Sequence, residues 1–309
     1  MLQVPTMELT RDNYYTLEAD REYMSCSQYQ SFLECEAATM AKMHGLYVPK
    51  ETEALIVGNY VHTALESDEA HEEFLAKYED EIFKKKIDKK TGEVMITGKY
   101  APFVKADEII HIFVTDPVFK KLILLEGENE KILTGTLFGD KWKIRLDKYI
   151  PDTRMIIDYK TAADLTKTEY NVELGERESF LEALGYLMRA AVYSEIEKQN
   201  SERNEDPPFV ILAVTKQDPP DRGAYLLNHR QRYDYELERV EEHMRRIRRV
   251  KSGQAVPTRC GHCEWCRRTK KLKGIVPYYT IKPGFKDERE EEYRDIYSTY
   301  LETATASGE

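Results

Sequence analysis

The stretch Lys143-Ile-Arg-Leu-Asp147-Lys-Tyr-Ile-Pro-Asp-Thr-Arg-Met-Ile-Ile-Asp158-Tyr-Lys160-Thr161 predicts two neighbouring β-strands that carry two acids and a lysine. Apolar residues alternate or run together on either side of Pro151-Asp-Thr153, which favours a turn. Asp158 and Lys160 are two positions apart, so their side chains leave the same face of the second strand, and in a hairpin Asp147 comes alongside them. Two carboxylates and a lysine in this arrangement can hold a divalent metal ion, polarise a phosphodiester and orient a water molecule.

The composition indicates a soluble, globular chain. The 309 residues suffice for one large domain or two, and 41% of them are hydrophobic and 33% charged. No segment approaches the roughly 18 apolar residues that a membrane-spanning helix needs. Residues 1–8 lack the basic region and apolar segment of a secretion signal. We therefore expect no membrane partner and a cytoplasmic location.

The charge is unevenly distributed. A formal net charge of −10 argues weakly against a protein that coats nucleic acid. Basic residues nevertheless cluster at 84–86, 245–251 and 267–273, whereas acidic runs lie at 66–73 and 287–292. Local basic faces on an acidic chain are compatible with an enzyme that contacts DNA in a confined channel, although each run could equally be a solvated helix face.

The order of predicted elements indicates helices before and after a small central sheet, which is an α/β or, more loosely, α+β class. Ser25-Cys-Ser27 is a plausible helix N-cap. Gly135 and Gly139-Asp140 are interpreted as turns. The main predicted segments are a helix at 55–66, a loop or small excursion at 83–100, a helix at 106–113, strands within 131–160, a helix at 178–199, strands at 209–215 and 224–228, and a helix at 233–251.

Three of the five cysteines form the pattern Cys260-Gly-His-Cys263-Glu-Trp-Cys266. Two consecutive C-x2-C spacings in a cytoplasmic protein indicate a metal or cluster site rather than disulfides. A fourth ligand is needed, and Cys35 on the N-terminal helix is preferred over Cys26 and His262, because it would tie the two chain ends together. Thiolates in this compact spacing suit a [4Fe–4S] cluster, and Zn²⁺ is the alternative.

Four motifs in order resemble a known family. Asp147…Asp158-x-Lys160 resembles the D-x(n)-(D/E)-x-K core of restriction-endonuclease-like nucleases, and Gly58-Asn-Tyr-Val-His62 resembles the G-x-x-x-H helix motif of RecB-type nucleases. The segment 23–35 resembles the opening of phage exonucleases similar to RecE (exonuclease VIII), and Gly185-Tyr-Leu-Met-Arg189-Ala-Ala-Val-Tyr193 resembles their G-Y-x-x-Q-x-A-x-Y helix. Over residues 20–275 the chain thus resembles phage or prophage RecE-like PD-(D/E)xK exonucleases of the cysteine-bearing kind.

This resemblance implies a restriction-endonuclease-like core: a small central mixed sheet flanked by helices, with the chain ends tied by the cysteine site. The implied exonuclease domain covers residues 1–275, with N-terminal helices at 1–70, the nuclease core at 100–250 and the cysteine cluster at 255–272. Residues 276–309 form an acidic C-terminal tail.

The resemblance also implies roles for individual residues. Asp147 and Asp158 would coordinate Mg²⁺ or Mn²⁺, with His62 and the backbone carbonyl of Tyr159 completing the ligand set. Lys160 would orient or help deprotonate the attacking water. The DNA-contact candidates are Thr161, Arg189, Tyr193, Arg245, Arg248 and Arg249.

Arg189 departs from the family pattern, which usually has Gln at this position. An arginine is the better bidentate partner for a phosphate, which keeps an active enzyme plausible.

The implied reaction is metal-dependent 5′-to-3′ hydrolysis of double-stranded DNA ends that produces 3′ single-stranded overhangs for recombination by strand annealing. The implied partners are a single-strand annealing protein and further copies of the chain in a homo-oligomeric ring, inside a bacterial host cell. Two alternatives stay open: another PD-(D/E)xK nuclease, of the CRISPR-adaptation or endonuclease kind, or a catalytically inactive DNA-binding scaffold.

Overall fold

Our computed structural model describes residues 7–172 and 174–272, and the chain divides into two units, Met1–Thr258 and Arg259–Glu309. The predicted tail at 276–309 lies outside the described residues. The helices are α1 (Leu17–Glu22), α2 (Cys26–Met43), α3 (Glu53–Glu66), α4 (Asp68–Lys77), α5 (Glu79–Ile82), α6 (Ala101–Thr115), α7 (Pro117–Ile123), α8 (Phe180–Ala183), α9 (Tyr186–Ser201), α10 (Arg230–Lys251) and α11 (Glu264–Arg268). The strands are β1 (Phe83–Ile87), β2 (Val94–Lys99), β3 (Glu128–Leu137), β4 (Asp140–Ile150), β5 (Met155–Ala162), β6 (Thr168–Asn171), β7 (Glu176–Ser179), β8 (Phe209–Thr215) and β9 (Arg222–Leu227).

A five-stranded mixed sheet of order β3-β4-β5-β8-β9 organises the first unit. Only β5 and β8 within it run parallel, and the other neighbours are antiparallel. All seven residues of β8 are buried, as expected for an apolar strand that is covered on both faces. The predicted class, a mixed α/β protein with a central mixed sheet between helices, is confirmed.

Two hydrophobic clusters cover the two faces of this sheet. One joins α2, α9 and α10 to the sheet, and the other joins α3 and α6 to it. Strand β5 contributes to both by alternation: Ile156 belongs to the first cluster, and Ile157 and Tyr159 belong to the second. Side chains at 158 and 160 therefore leave β5 on the face of Ile156.

The helix that carries His62 is fixed by its cap and by its apolar face. Thr52 caps α3 by accepting a hydrogen bond from Leu55 N at 3.3 Å. Val57 and Val61 are buried against the second cluster, and each contributes about 1.5–3 kcal/mol of burial free energy. The predicted cap of α2 is also confirmed, because Ser25 Oγ accepts from Gln28 N at 3.2 Å.

The prediction of one long helix at 178–199 is wrong. The segment contains the end of β7, the short helix α8, a break at Gly185 and then α9. Gly185 has φ +71°, in the left-handed region that favours glycine, and a Cβ there would lie 2.7 Å from Gln30 Nε2. Helical spacing of apolar residues continues through this break, so periodicity alone could not reveal it.

Two further predictions need correction. Residues 83–100, predicted as a loop or small excursion, contain a two-stranded antiparallel hairpin, β1–β2. Gly135 lies inside β3 and not at a turn. A Cβ at Gly135 would lie 2.7 Å from Gln199 Oε1. Gly139, with φ +82°, does form the predicted β3–β4 turn. Among the described residues, no helix is long and apolar enough to cross a membrane.

Candidate active site and cysteine group

The candidate site lies where strands β4 and β5 separate. Their pairing runs from Ile150↔Met155 to Lys148↔Ile157 and then stops, while β5 continues beside β8 as far as Ala162. In the gap, the Asp147 side chain takes the place of a ladder partner, because its Oδ2 accepts a hydrogen bond from Tyr159 N at 2.8 Å. Because β4 and β5 diverge here, a gap opens between these two neighbouring strands, and the Asp147 side chain lies in it.

Lys160 lies between the two aspartates. Its Nζ is 2.5 Å from Asp158 Oδ2 and 3.9 Å from Asp147 Oδ2, and it donates to the Tyr159 carbonyl at 3.0 Å. Asp158 is only 3% exposed, and its Oδ2 has no hydrogen bond of normal geometry. The structure therefore brings together the three residues that the sequence pattern predicted.

His62 approaches the same carboxylate from α3. Its Nδ1 lies 3.4 Å from Asp147 Oδ2. Burial lowers the pKa of His62, although Asp147 opposes that shift, so the imidazole is neutral near pH 7 and can offer a nitrogen lone pair. A Cβ at Gly58 would lie 3.9 Å from Thr161 Oγ1, an ordinary contact, so the close approach of α3 to β5 does not require this glycine.

Charges around Asp147 keep this carboxyl ionised. Burial alone would raise its pKa, but His62, which is protonated at the acid pH where an aspartate titrates, outweighs burial together with Lys160 and the Tyr159 N–H, so the pKa of Asp147 is lowered. The positive charge of Arg189 on α9 also lowers the pKa of Asp147. The Arg189 guanidinium lies 5.9 Å from the centre of the Tyr193 ring.

Glu130 and Arg145 belong to the site but were missed by sequence reasoning. The β3–β4 register pairs residue 129 with 148 and 131 with 146, so Glu130 faces Asp147 across the strands. Glu130 is 6% exposed, has φ +55°, and its Oε2 lies 2.6 Å from Arg145 Nε. A left-handed conformation is costly for a glutamate, and burial raises its pKa to about 7. Only the pairing register, which is non-local, reveals this residue.

The remaining predicted contact residues divide into two groups. Tyr193 is buried, and its hydroxyl donates to the Arg145 carbonyl at 3.3 Å, so it supports β4 from the core. Arg245, Arg248 and Arg249 lie on the exposed side of α10, and no hydrogen bond or ion pair described in the structure joins them to the site. Arg248 instead pairs with Asp140 at 2.9 Å.

Oxygen and nitrogen atoms converge here in a way that fits a hard divalent cation. Asp147, Asp158, the Tyr159 carbonyl and neutral His62 are all ligand types that Mg²⁺ or Mn²⁺ accepts. Apart from the Lys160 ammonium at 2.5 Å, the buried Asp158 Oδ2 has no partner among the described residues, so it can also accept a bound cation.

The second unit contains a group of three cysteines near its start. Cys260, Cys263 and Cys266 have sulfur atoms within 4.8 Å of one another, and Cys260 Sγ lies 3.9 Å from Cys266 Sγ. The Cys260 sulfur accepts from Cys263 N at 3.3 Å, and the Cys263 sulfur from Cys266 N at 3.4 Å. Such convergent sulfurs, supported by backbone N–H groups, fit a thiolate-bound metal centre.

The competitors for the fourth ligand position have other roles. His262 Nδ1 lies 3.0 Å from the Cys260 carbonyl oxygen, and the residue is exposed. Cys26 is part of the first core cluster, and burial raises the pKa of its thiol to about 12.

Comparison with known proteins identifies the class. Residues 25–269 match the family described as "PDDEXK-like domain of unknown function (DUF3799)", and the chain belongs to this family. The chain is also similar to the solved structure of a "Putative exonuclease" from Eubacterium rectale, at 34% identity and a TM-score of 0.78, covering 91% of this chain and 100% of that one. The structure of SSO0001 shares 14% identity at a TM-score of 0.29, over 84% of this chain and 96% of that one, which is too weak for argument. A search of curated proteins found no match.

Proposed function

We propose that this protein is a metal-dependent deoxyribonuclease that degrades double-stranded DNA from its ends, 5′ to 3′, and leaves 3′ single strands for recombination by annealing. The observation that carries the nuclease assignment is the convergence of Asp147, Asp158, Lys160 and His62 in the gap between β4 and β5. The name of the Eubacterium rectale relative supports the exonuclease assignment. The polarity and the product follow only from the RecE-like motifs.

Mg²⁺ or Mn²⁺ would be held by Asp147, Asp158, His62 and the Tyr159 carbonyl, and when bound it supplies a polarised phosphodiester and an activated water. Lys160 carries the positive charge next to both carboxylates, so it can hold the attacking water and stabilise charge that develops on the phosphate. His62 stays neutral and therefore does not compete with the cation. The Tyr159 N–H fixes the Asp147 carboxylate in place.

The partners are part of the proposal. Double-stranded DNA ends are the substrate, a ring of identical chains keeps the enzyme on its substrate, and a single-strand annealing protein receives the product. A ring would also reconcile the net charge of −10 with DNA binding, because basic residues lining a channel attract DNA although the outside is acidic.

The decisive experiment is digestion of linear and closed circular duplex DNA with Mg²⁺, using wild type and Lys160→Ala. Loss of linear DNA alone, abolished by the substitution, is the expected result. Cleavage of circles would favour an endonuclease instead. Binding of DNA without cleavage of either form would favour a non-catalytic scaffold.

We further propose that Cys35 is the fourth ligand of the cysteine centre. Within the first unit, Thr258 N donates to Glu36 Oε2 at 2.6 Å, and Ala37 N donates to the Thr258 carbonyl at 3.0 Å. Helix α2 also loses helical geometry at Cys35, where φ is −163° and ψ is 101°. Cys260 follows Thr258 by two residues, a span of about 7 Å at most.

The sulfur spacing bears on the metal in this centre. Four thiolates around one zinc ion, with Zn–S near 2.3 Å, stand about 3.8 Å apart, close to the 3.9 Å between Cys260 and Cys266. In a [4Fe–4S] cluster each thiolate binds a different iron, which places the sulfurs further apart. The spacing therefore favours Zn²⁺ over the iron–sulfur cluster expected from the sequence.

Metal analysis and visible absorption of protein purified without oxygen test this choice. One zinc per chain and no absorption near 400 nm are expected, and Cys35→Ser should lower the zinc content as strongly as Cys263→Ser. A brown protein with iron and acid-labile sulfide would restore the iron–sulfur assignment. Full zinc retention in Cys35→Ser would exclude Cys35.

A further inference from the structure

The β1–β2 hairpin is a lysine-rich, exposed structure that the catalytic proposal leaves unused. Residues 83–99 contain six lysines and two acids, in a chain whose net charge is −10. Both strands are exposed along nearly their whole length, so the hairpin projects from the first unit. An isolated two-stranded hairpin is at best marginally stable in water, so its exposed faces call for a partner.

The strand register separates two kinds of surface on this hairpin. Lys85 pairs with Ile96 and Ile87 with Val94, so these residues share one face, which is largely aliphatic. Ile87, Val94 and Ile96 are 63%, 60% and 52% exposed. The opposite face carries Lys84, Lys86 and Met95, and the connecting turn carries Lys89 and Lys90, all of them exposed.

Most of these lysines are not neutralised by the protein. Lys85 is held by Glu79 and Asp80, and Lys99 by Asp107. Among the described residues, Lys84, Lys86, Lys89 and Lys90 make no ion pair. Four uncompensated cations on one narrow projection are suited to a polyanion, whereas a protein partner of ordinary composition would leave them unpaired.

The base of the hairpin is tied to the helix that carries His62. Lys99 Nζ donates to Tyr60 Oη at 2.7 Å and pairs with Asp107, and Tyr60 precedes His62 by two residues on α3. Phe83, the first residue of β1, packs against the core cluster that contains Tyr159. A five-residue strand spans about 17 Å, so the turn lysines stand well outside the catalytic gap.

We propose that the β1–β2 hairpin is an arm that binds the phosphate backbone of the duplex ahead of the cleavage site. Lys89 and Lys90 at the turn supply phosphate contacts, and the aliphatic face lies against the sugars. This inference rests on the proposed function, since a nuclease that removes nucleotides one after another benefits from a grip on DNA that it has not yet reached.

The test is the salt dependence of binding to duplex DNA, measured with Ca²⁺ in place of Mg²⁺ to suppress cleavage. In Lys89→Ala/Lys90→Ala, the slope of log K against log salt concentration should fall by about 1 to 2, because each lost phosphate contact removes about 0.9. Lys89→Arg/Lys90→Arg should keep the wild-type slope. Lys120→Ala/Lys121→Ala is the matched control, since it removes two adjacent exposed lysines from α7.

The aliphatic face gives an independent measurement. Ile87→Thr/Ile96→Thr should weaken DNA binding several-fold without changing the salt slope, because apolar contacts release no counterions. A wild-type slope in the Lys89/Lys90 alanine variant would overturn the proposal, and so would an equal fall in the α7 control. A change of oligomeric state in light scattering, with DNA affinity intact, would assign the hairpin to contacts between chains.

The controls separate this inference from the nuclease proposal. If wild type digests linear DNA and the hairpin variants bind DNA with the wild-type affinity and salt slope, the arm is excluded and the nuclease proposal stands. If wild type neither binds nor digests duplex DNA, both proposals fail.

Discussion

Lys143 is buried and Lys160 is half-buried in the central sheet, and each is paired with an aspartate, but the surroundings of the two lysines differ. Lys143 is 1% exposed in its side chain, lies 2.8 Å from Asp20 Oδ1, also donates to the Tyr14 carbonyl, and lies 4.7 Å from the centre of the Tyr14 ring. Lys160 instead lies between two carboxylates, 2.5 Å from Asp158 Oδ2 and 3.9 Å from Asp147 Oδ2.

The difference teaches that burial of an ion pair does not by itself indicate a functional site. Around Lys143 the neighbours satisfy the charge, which is the condition for a buried pair to be tolerated in a core. Around Lys160 the groups converge from β4, β5 and α3, and two carboxylates lie beside a single lysine. The predictions below separate these two situations by experiment.

The largest effect is expected for catalysis. Lys160→Ala should lower kcat/KM on linear duplex DNA roughly 10³-fold or more, because it removes the cation that holds water and stabilises phosphate charge. Lys143→Ala should keep the wild-type rate per folded molecule. Single-turnover digestion of end-labelled DNA measures both, and comparable losses in the two variants would abolish the distinction.

For the free energy of unfolding, the second prediction is that the larger loss occurs in Lys143→Ala and the smaller loss in Lys160→Ala. Lys143→Ala should lower the free energy of unfolding by roughly 3–5 kcal/mol, since it leaves the Asp20 carboxylate buried without its partner. Lys160→Ala should cost less in the presence of Mg²⁺, because the cation can take the Asp158 oxygen. Urea unfolding followed by circular dichroism gives both values.

A double variant provides the control for that prediction. Asp20→Leu with Lys143→Met removes both charges and fills the space, so it should be more stable than Lys143→Ala. If the double variant were the less stable of the two, the loss would come from packing rather than from the uncompensated charge.

The third prediction concerns the pH dependence of stability through Lys251, a neighbour of the Lys143–Asp20 pair. Lys251 Nζ lies 3.4 Å from the Asp20 carbonyl oxygen, and burial lowers its pKa to about 8 from the ordinary 10.5. Between these values the unfolded chain binds more protons than the folded chain, so the free energy of unfolding rises with pH. Below pH 8 both states are protonated and the folded state keeps the full cost of the buried charge.

Lys251→Met should remove this dependence. The difference in unfolding free energy between wild type and variant should change by roughly 2–3 kcal/mol between pH 7.5 and 10.5. Parallel stability curves for the two proteins over that range would show that Lys251 titrates normally.

The grouping of Asp147, Asp158 and Lys160 could be predicted from the sequence because their relation is local. Asp158 and Lys160 share a strand face by alternation, and a short turn brings Asp147 to the next strand. His62 was found through the resemblance of residues 58–62 to the G-x-x-x-H motif of RecB-type nucleases. Each of these inferences needs no more than one element or one hairpin.

Other features required tertiary pairing that no local pattern contains. Asp20 lies 123 residues from Lys143 in sequence, so nothing in the quoted strand indicates that this lysine is buried and paired. Glu130 enters the site only through the β3–β4 register. Gly185 interrupts an otherwise continuous helical pattern, because its left-handed conformation is invisible to hydrophobic spacing.

The smallest effect is expected at Arg189, the cation that stands where the RecE-like pattern has Gln. Its positive charge acts on both Asp147 and Asp158, so Arg189→Gln should strengthen binding of a divalent cation and weaken binding of phosphate, each by roughly tenfold or less. The Mn²⁺ concentration for half-maximal activity should therefore fall while KM for DNA rises, and Arg189→Lys should change neither greatly. If the half-maximal Mn²⁺ concentration and KM for DNA shifted in the same direction, Arg189 would support the fold through Tyr193. Its role would then be structural, like that of Lys143, rather than part of the site around Lys160.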